Sequence, residues 1–107
     1  MNERKWMIYG ANGFSAMLAI EESVKRGLKP VLAGRSPAIE KIAQEFDLDF
    51  QIFSLSSVNE VASQIKGLAV VANCAGPFSE TAETMIQACI QAKVHYIDIT
   101  GEISVYD

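Results

Sequence analysis

Short apolar runs alternate along the chain with longer segments in which apolar residues recur every three or four positions. The runs are rich in β-branched and aromatic residues and are bounded by glycine, proline or polar residues, which is typical of β-strands. They predict five strands, at residues 6–9, 30–33, 50–53, 68–72 and 95–99. The run at 68–72 is apolar without interruption, as expected for a strand covered on both faces of its sheet.

The segments between these runs have the periodicity of amphipathic helices. They predict four helices, at about residues 14–26, 37–46, 57–65 and 80–91. The third begins with SVNE at residues 57–60, which matches the capping box of a helix start. In the fourth, the predicted buried face consists of Ala82, Met85, Ile86, Cys89 and Ile90.

Strands that alternate with helices predict right-handed crossovers and a parallel sheet. No linker, low-complexity tract or second composition divides the chain, and its 107 residues are enough for one hydrophobic core. The predicted fold class is therefore a single α/β domain over residues 1–107. It is a Rossmann-type doubly wound parallel sheet of about five strands with helices on both faces.

Composition and charge restrict the possible binding partners and the cellular environment of the protein. The net charge of −4 has the wrong sign for a protein that binds nucleic acid or anionic membranes. No apolar run is long enough for a membrane span or a signal peptide. Cys74 and Cys89 lie in apolar surroundings without CxxC spacing, which indicates buried thiols, and the single His95 cannot form a metal site alone. We expect a cytoplasmic protein with no metal, nucleic-acid or membrane partner.

The turn between the first strand and the first helix carries the strongest chemical signal. Residues 10–16 (GANGFSA) have the spacing G-x-x-G-x-x-A, a variant of the dinucleotide-binding fingerprint. The first glycine permits a tight turn, the second lets the helix N–H groups approach a pyrophosphate, and Ala16 keeps the helix close to the sheet. The alternative is that the glycines are only structural. The predicted cofactor contacts are Gly10, Ala11, Asn12, Gly13, Phe14 and Ser15.

The end of the second strand distinguishes the two nicotinamide cofactors. An NAD site usually has an acidic residue there, whereas this chain has Arg35 and Ser36 and no acid until Glu40. A guanidinium can pair bidentately with the 2′-phosphate of NADP, and a hydroxyl can add a hydrogen bond. We therefore predict that the cofactor is NADP(H). The alternatives are that Arg35 is a solvated loop cation and that Ser36, before Pro37, only caps the second helix.

The fourth strand also ends in residues suited to a cofactor site. Wound sheets bind ligands at the carboxyl ends of their strands. Ala75, Gly76 and Pro77 are therefore predicted to let the backbone approach the ribose and nicotinamide side of the cofactor. The alternative is an ordinary tight turn in which Asn73 satisfies the local backbone. Cys74 is interpreted as a packing residue rather than a nucleophile, because no basic partner is visible in the sequence.

The fifth strand ends in a polar cluster. Asp98, Thr100 and Glu102 either contact a substrate or a following domain, or cap the next element. His95 and Tyr96 begin that strand, at the sheet edge opposite the predicted cofactor site, so neither is assigned a catalytic role. The catalytic residues remain unassigned.

Four sequence blocks point to one known family. They are residues 9–14 (YGANGF), 26–35 (RGLKPVLAGR), 73–78 (NCAGPF) and 95–102 (HYIDITGE). In this order they resemble the NADP-binding domain of the saccharopine dehydrogenase-like family, which includes the trans-acting enoyl reductases. The resemblance implies an oxidoreductase acting on C–N or C=C bonds, with a substrate and oligomerisation domain after the nucleotide domain. Members usually have an acidic residue after the third strand, where this chain has SLS at 54–56.

Together, length and resemblance predict the cofactor domain of a longer NADP-dependent oxidoreductase. We expect the chain to bind NADP(H) but to turn over little alone, with a small-molecule substrate and any homo-oligomer contact provided by a downstream domain. One rival is an atypical short-chain dehydrogenase fragment, because NCAG at 73–76 is similar to that family's Asn-Ala-Gly turn. The Tyr-x-x-x-Lys pair of those enzymes is absent here. A second rival is a non-catalytic NADP-sensing regulatory module.

Overall fold

A computed structural model describes residues 5–74 and 79–98 of the chain. The strands are β1 (Trp6–Tyr9), β2 (Val31–Gly34), β3 (Phe50–Ile52), β4 (Val70–Asn73) and β5 (His95–Asp98). The helices are α1 (Phe14–Lys25), α2 (Ala38–Phe46), α3 (Val58–Ile65) and α4 (Ser79–Ala92). These elements have the number and order predicted from the hydrophobic pattern.

Several elements start one or two residues from the predicted position, and hydrogen bonds accompany two of these differences, at β4 and α2. β4 begins at Val70 rather than at residue 68, because the Leu68 N–H donates to the Ile65 carbonyl in the turn after α3, at 3.1 Å. α2 begins at Ala38, one residue after Pro37, and the N–H of Ala38 donates to Ser36 Oγ at 3.1 Å. Pro37 thus occupies the N-cap position instead of the first helical position, and the predicted role of Ser36 is seen only in its bond to the first N–H of the helix.

The sheet is parallel throughout, with the strand order β3-β2-β1-β4-β5. At the end of β1, Tyr9 pairs with Ala33 of β2 on one side and with Asn73 of β4 on the other. The chain therefore reverses its winding direction at β1. A crevice forms at such a switch point, outside the carboxyl ends of the strands, and is where wound sheets bind their ligands.

Apolar side chains alternate between the two faces of the sheet, as the strand pleat requires. Ile8 packs with α1 and α2, and Met7 and Tyr9 pack with α3 and α4. The cluster beside α1 and α2 contains Ile8, Ala11, Ala16, Ile20, Leu32, Ile39 and Ala43. The cluster beside α3 and α4 includes Met7, Tyr9, Ala33, Val61, Ile65, Val71, Met85 and Cys89. The prediction of a doubly wound sheet with helices on both faces is confirmed.

The predicted buried face of α4 was partly wrong. Met85 and Cys89 are buried, but Ile86 is 37% and Ile90 68% exposed. These two isoleucines lie one helical turn apart, whereas the contact of α4 with α3 includes a 3.1 Å bond from Gln91 Nε2 to Asn59 Oδ1. Among the described residues, α4 therefore buries only part of its apolar stripe.

The prediction of buried thiols is confirmed for Cys89 and only partly for Cys74. Both are thiols outside any disulfide, and Cys89 is buried whereas Cys74 is half-buried. Burial raises the pKa of the Cys89 thiol to about 11. Within residues 5–74 and 79–98, no helix has the length and hydropathy needed to cross a membrane.

Candidate cofactor-binding site

The turn after β1 is held tightly against the sheet. Gly10 has a φ of 82°, a left-handed conformation that favours glycine. The N–H groups of Gly10 and Ala11 both donate to the carbonyl oxygen of Ala33, at 2.7 and 3.0 Å. On the other side, the Cys74 N–H donates to the carbonyl oxygen of Tyr9 at 2.8 Å. The start of the loop is thus fixed to both β2 and β4, at the switch point of the sheet.

The second glycine of the loop precedes α1 and leaves the amino end of the helix open. Gly13 has an extended conformation (φ −88°, ψ 168°) and no side chain caps the helix. The first turn of α1 also contains no acidic residue. A helix amino end has unpaired N–H groups and a partial positive charge, and both favour an anion. The sequence prediction of a phosphate-binding turn therefore agrees with the local geometry.

The space around Gly13 shows that internal packing does not require a glycine at this position. A Cβ built at Gly13 would lie 3.5 Å from the carbonyl oxygen of Gly10 and 3.8 Å from that of Cys74. Both distances are ordinary van der Waals contacts. The chain itself could accept an alanine here, so the absence of a side chain keeps the helix end accessible from outside. This is the geometry that a bound pyrophosphate requires.

An open cleft of about 580 Å³ adjoins this helix end. It brings together residues from the ends of β1 and β2 and from the residue after β4. The lining residues are Tyr9, Gly10, Asn12, Gly13, Arg35, Ser36, Pro37 and Cys74. Five of the predicted cofactor contacts, namely Gly10, Asn12, Gly13, Arg35 and Ser36, therefore lie on one surface.

Arg35 follows β2 directly and is exposed. The preceding residue, Gly34, lies close to α2, because a Cβ built there would lie 2.9 Å from Cδ1 of the buried Ile39. Among the described residues, the ion pair found joins Arg26 to Glu22 and does not involve Arg35. Within residues 5–74 and 79–98, the Arg35 guanidinium therefore adds positive charge to the cleft without an ion pair to a carboxylate. This charge suits a phosphate group.

Tyr9 is a cleft residue that sequence reasoning missed. It is 2% exposed, and its hydroxyl donates to the carbonyl oxygen of Phe53 at 2.7 Å. The two rings pack with centroids 5.1 Å apart at 50°. Burial raises the pKa of Tyr9 to about 12, although the positive charge of Arg35 acts in the opposite direction. The apolar run at residues 6–9 predicted only a strand, and nothing local signals the partner of the Tyr9 hydroxyl.

The residues at the end of β4 have different roles. The buried Asn73 donates from Nδ2 to the hydroxyl of Tyr96 at 3.2 Å and so connects β4 to β5. Sequence reasoning considered Asn73 only as a residue that satisfies the local turn. Cys74, which was interpreted as packing, is half-buried and lines the cleft. Its exposure to the cleft follows from its place immediately after the strand.

The other predicted contacts either are not among the cleft-lining residues or fall outside the described part of the structure. Ala11 is fully buried in the cluster beside α1 and α2 and does not line the cleft. Phe14 and Ser15 begin α1, and their side chains lie outside the described part of the structure. Predicted residues that lie wholly outside the described ranges are Ala75, Gly76, Pro77, Thr100 and Glu102. Their roles stay predictions.

Comparison with known protein families agrees with this geometry. The family described as the saccharopine dehydrogenase NADP binding domain matches residues 6–106. The chain belongs to this family. Membership confirms the resemblance seen in the four sequence blocks, and it favours this assignment over a short-chain dehydrogenase fragment.

Two curated relatives illustrate the family. The saccharopine dehydrogenase-like oxidoreductase of Mus musculus is 29% identical, over 90% of this chain and 27% of the relative. The trans-acting enoyl reductase of Mycobacterium ulcerans is 29% identical, over 91% of this chain and 25% of the relative. The chain thus spans about a quarter of the length of these relatives, both of which are named as oxidoreductases or reductases.

Solved structures share the fold at lower identity. The triphenylmethane reductase of Citrobacter sp., complexed with NADP(H), has a TM-score of 0.73 and 14% identity, covering 87% of this chain and 36% of its own. A nucleoside-diphosphate-sugar epimerase of Pseudomonas aeruginosa has a TM-score of 0.73 and 20% identity, covering 91% and 33%. At these identities the similarity establishes the Rossmann-type fold alone.

Proposed function

We propose that this chain is the NADP(H)-binding module of an oxidoreductase. The observation that supports this most directly is the composition of the cleft. The open amino end of α1, at Gly13, and the cation Arg35, at the end of β2, line the same opening. These are the two positive features that a dinucleotide with a pyrophosphate and a 2′-phosphate requires.

The pyrophosphate is proposed to bind at the amino end of α1. The N–H groups of Gly10 and Ala11 already donate to Ala33, and the Gly13 N–H donates to the Gly10 carbonyl oxygen at 3.1 Å. Among the described residues, the N–H groups that remain for a ligand are therefore those of Asn12 and of the first turn of α1. With no acidic side chain in that turn, the helix dipole favours the two negative charges.

The 2′-phosphate is proposed to bind Arg35 and Ser36. The guanidinium can form two parallel N–H···O bonds with one phosphate. The Ser36 Oγ accepts a hydrogen bond from the Ala38 N–H, which leaves the hydroxyl proton free to be donated to the phosphate. Ser36 can therefore cap α2 and contact the cofactor at the same time.

The whole protein is proposed to be an NADP-dependent oxidoreductase with a small-molecule substrate. When bound, the nicotinamide ring supplies or accepts a hydride. The described residues bind and orient the adenosine and pyrophosphate parts of the cofactor. The relatives are about four times longer than this chain, so we propose that their substrate-binding residues have counterparts downstream and that this chain alone binds cofactor without turnover.

Isothermal titration calorimetry with NADPH and NADH tests the cofactor assignment. We expect NADPH to bind at least about tenfold more tightly than NADH, since one charge-assisted pair contributes about 1.5–3 kcal/mol. The variant Arg35→Ala removes the proposed 2′-phosphate contact and should erase most of the difference. Equal affinity of the unmodified chain for both cofactors would refute the proposal.

Arg26→Ala is the matched control. Arg26 is also an exposed arginine, but it follows α1 at the end away from the cleft and pairs with Glu22 at 2.6 Å. This variant removes the same charge from the chain. It should leave the preference for NADPH unchanged, and a comparable loss in both variants would mean that only the net charge of the protein matters.

A further inference from the structure

The side chain of Tyr9 crosses a whole strand. Tyr9 pairs with Ala33 on β2, and Ala33 pairs with Gln51 on β3. Phe53 directly follows β3, so β2 lies between Tyr9 and Phe53 in the sheet. The Tyr9 hydroxyl nevertheless reaches the carbonyl oxygen of Phe53, at 2.7 Å. Tyr9 and Ala33 belong to the same buried cluster, on the same face of the sheet. A small residue at position 33 leaves room for the tyrosine ring above β2.

The bond from Tyr9 is one of several contacts that hold the edge of the sheet, where Gln51 Nε2 also donates to the carbonyl oxygen and to Oε1 of Gln64, at 3.1 and 2.7 Å. β3 is the edge strand of the sheet, and Phe50 and Ile52 are 39% and 42% exposed. Just beyond it, the Phe53 N–H donates to the carbonyl oxygen of Gly34 at 2.9 Å. Phe53 is therefore attached through both of its backbone polar groups, once to β2 and once to Tyr9.

This pair of bonds ends at the peptide that precedes Arg35. The Gly34 carbonyl group is joined covalently to the Arg35 nitrogen, so the orientation of that carbonyl sets the direction in which Arg35 leaves β2. The Tyr9 hydroxyl fixes Phe53, and Phe53 fixes the Gly34 carbonyl. Tyr9 and Arg35 both line the cleft, and the charge of Arg35 acts on the Tyr9 hydroxyl. The two side chains are thus close as well as connected through hydrogen bonds.

We propose that Tyr9 is a positioning residue that, through Phe53 and Gly34, orients Arg35 toward the 2′-phosphate and so contributes to the selectivity for NADP(H). This inference rests on the proposed function. Tyr9 acts through other residues and does not itself need to touch the cofactor. Its hydroxyl should therefore affect cofactors with a 2′-phosphate much more than cofactors without one.

The variant Tyr9→Phe removes only the hydroxyl and keeps the ring that packs on Phe53. We expect the affinity for NADPH to fall about five- to tenfold, as for the loss of one hydrogen bond, while the affinity for NADH changes less than about twofold. Tyr96→Phe is the matched control, because it also removes a hydroxyl with a hydrogen bond, here from Asn73. It should leave the NADPH-to-NADH ratio of affinities unchanged.

The possible outcomes separate the inference from the proposed function. An unmodified chain without a preference for NADPH would overturn both. If Tyr9→Phe keeps the full preference for NADPH, only the role of Tyr9 is overturned. An equal loss of affinity for both cofactors would also overturn that role, because it would show that the Tyr9 hydroxyl is merely structural. Circular dichroism checks that each variant is folded.

Hydrogen exchange of the unmodified chain provides a test that does not depend on a variant. The Phe53 N–H, which donates to Gly34, should be protected more by saturating NADPH than by saturating NADH. Equal protection by the two cofactors would overturn the proposed connection between Phe53 and the 2′-phosphate site.

Discussion

The substitution Gly13→Ala separates the packing role of the glycine loop from its ligand-binding role. Gly13 has an extended conformation that alanine adopts freely, and the added Cβ would make contacts of 3.5 and 3.8 Å with the carbonyl oxygens of Gly10 and Cys74. A compatible Gly→Ala change stabilises a protein by about 0.4–1 kcal/mol through the unfolded state. Alanine is a poorer helix cap than glycine by roughly 0.5–1 kcal/mol. The two effects nearly cancel, so the free energy of unfolding should change by less than about 1 kcal/mol.

The same methyl group should weaken cofactor binding strongly. It would stand at the amino end of α1, where a pyrophosphate must come within hydrogen-bond distance of the first-turn N–H groups. Loss of one charge-assisted hydrogen bond costs about 1.5–3 kcal/mol, which is about a tenfold to hundredfold loss of affinity. Urea denaturation followed by circular dichroism measures the stability, and calorimetry with NADPH measures the affinity.

Gly67→Ala is the control with the opposite expected result. Gly67 has a φ of 90° with nothing within 4 Å of an added Cβ, and it follows α3, outside the set of cleft residues. An alanine in a left-handed conformation costs about 1–2 kcal/mol. This variant should lose stability and keep its affinity. If Gly13→Ala binds NADPH as tightly as the unmodified chain, the phosphate is not held at α1 and the reasoning is wrong.

Two further predictions concern the core. Gly34→Ala should lower the free energy of unfolding by about 1–3 kcal/mol, because the new Cβ would lie 2.9 Å from Cδ1 of Ile39, which is fully buried and cannot move away freely; an unchanged urea midpoint would contradict the close approach of α2 to β2. Stability should also fall at alkaline pH. The pKa values of Cys89 and Tyr9 are raised to about 11 and about 12 in the folded protein, so above pH 9 the unfolded chain loses protons that the folded chain keeps. Thermal denaturation from pH 8 to 11 should show a steeper decline in the unmodified chain than in Cys89→Ala, and parallel declines would contradict the raised pKa of Cys89.

Local patterns were enough to predict most of the elements and part of the site. The starts of α2 and α3 were predictable to within one or two residues, because the hydroxyls of Ser36 and Ser57 accept from N–H groups two and three residues later, a bond that depends on sequence neighbours alone. Gly10, Gly13 and Arg35 were predictable as neighbours at one opening because a parallel wound sheet brings the carboxyl ends of its strands to one edge. Their presence along one cleft agrees with that reasoning.

Contacts between distant residues were not predictable from the pattern. Tyr9 and Phe53 are 44 residues apart, and Asn73 and Tyr96 are 23 apart. The alternation of apolar residues indicates that such side chains point inward, but it does not identify what they meet. The exposure of Ile90 was missed for a related reason, since the width of the buried stripe on α4 depends on which elements pack beside it.

The sequence by itself determined which segments form helices and which form strands, the turns that need glycine and the charge at the end of β2. These features depend on backbone conformation and near neighbours. The tertiary structure decided the strand order β3-β2-β1-β4-β5, and with it the position of β1 between β2 and β4. Strand pairing uses backbone N–H and carbonyl groups that are alike in nearly all residues, so it is decided by the packing of the whole domain. That packing is what joins the open end of α1, Arg35 and Tyr9 into one cleft.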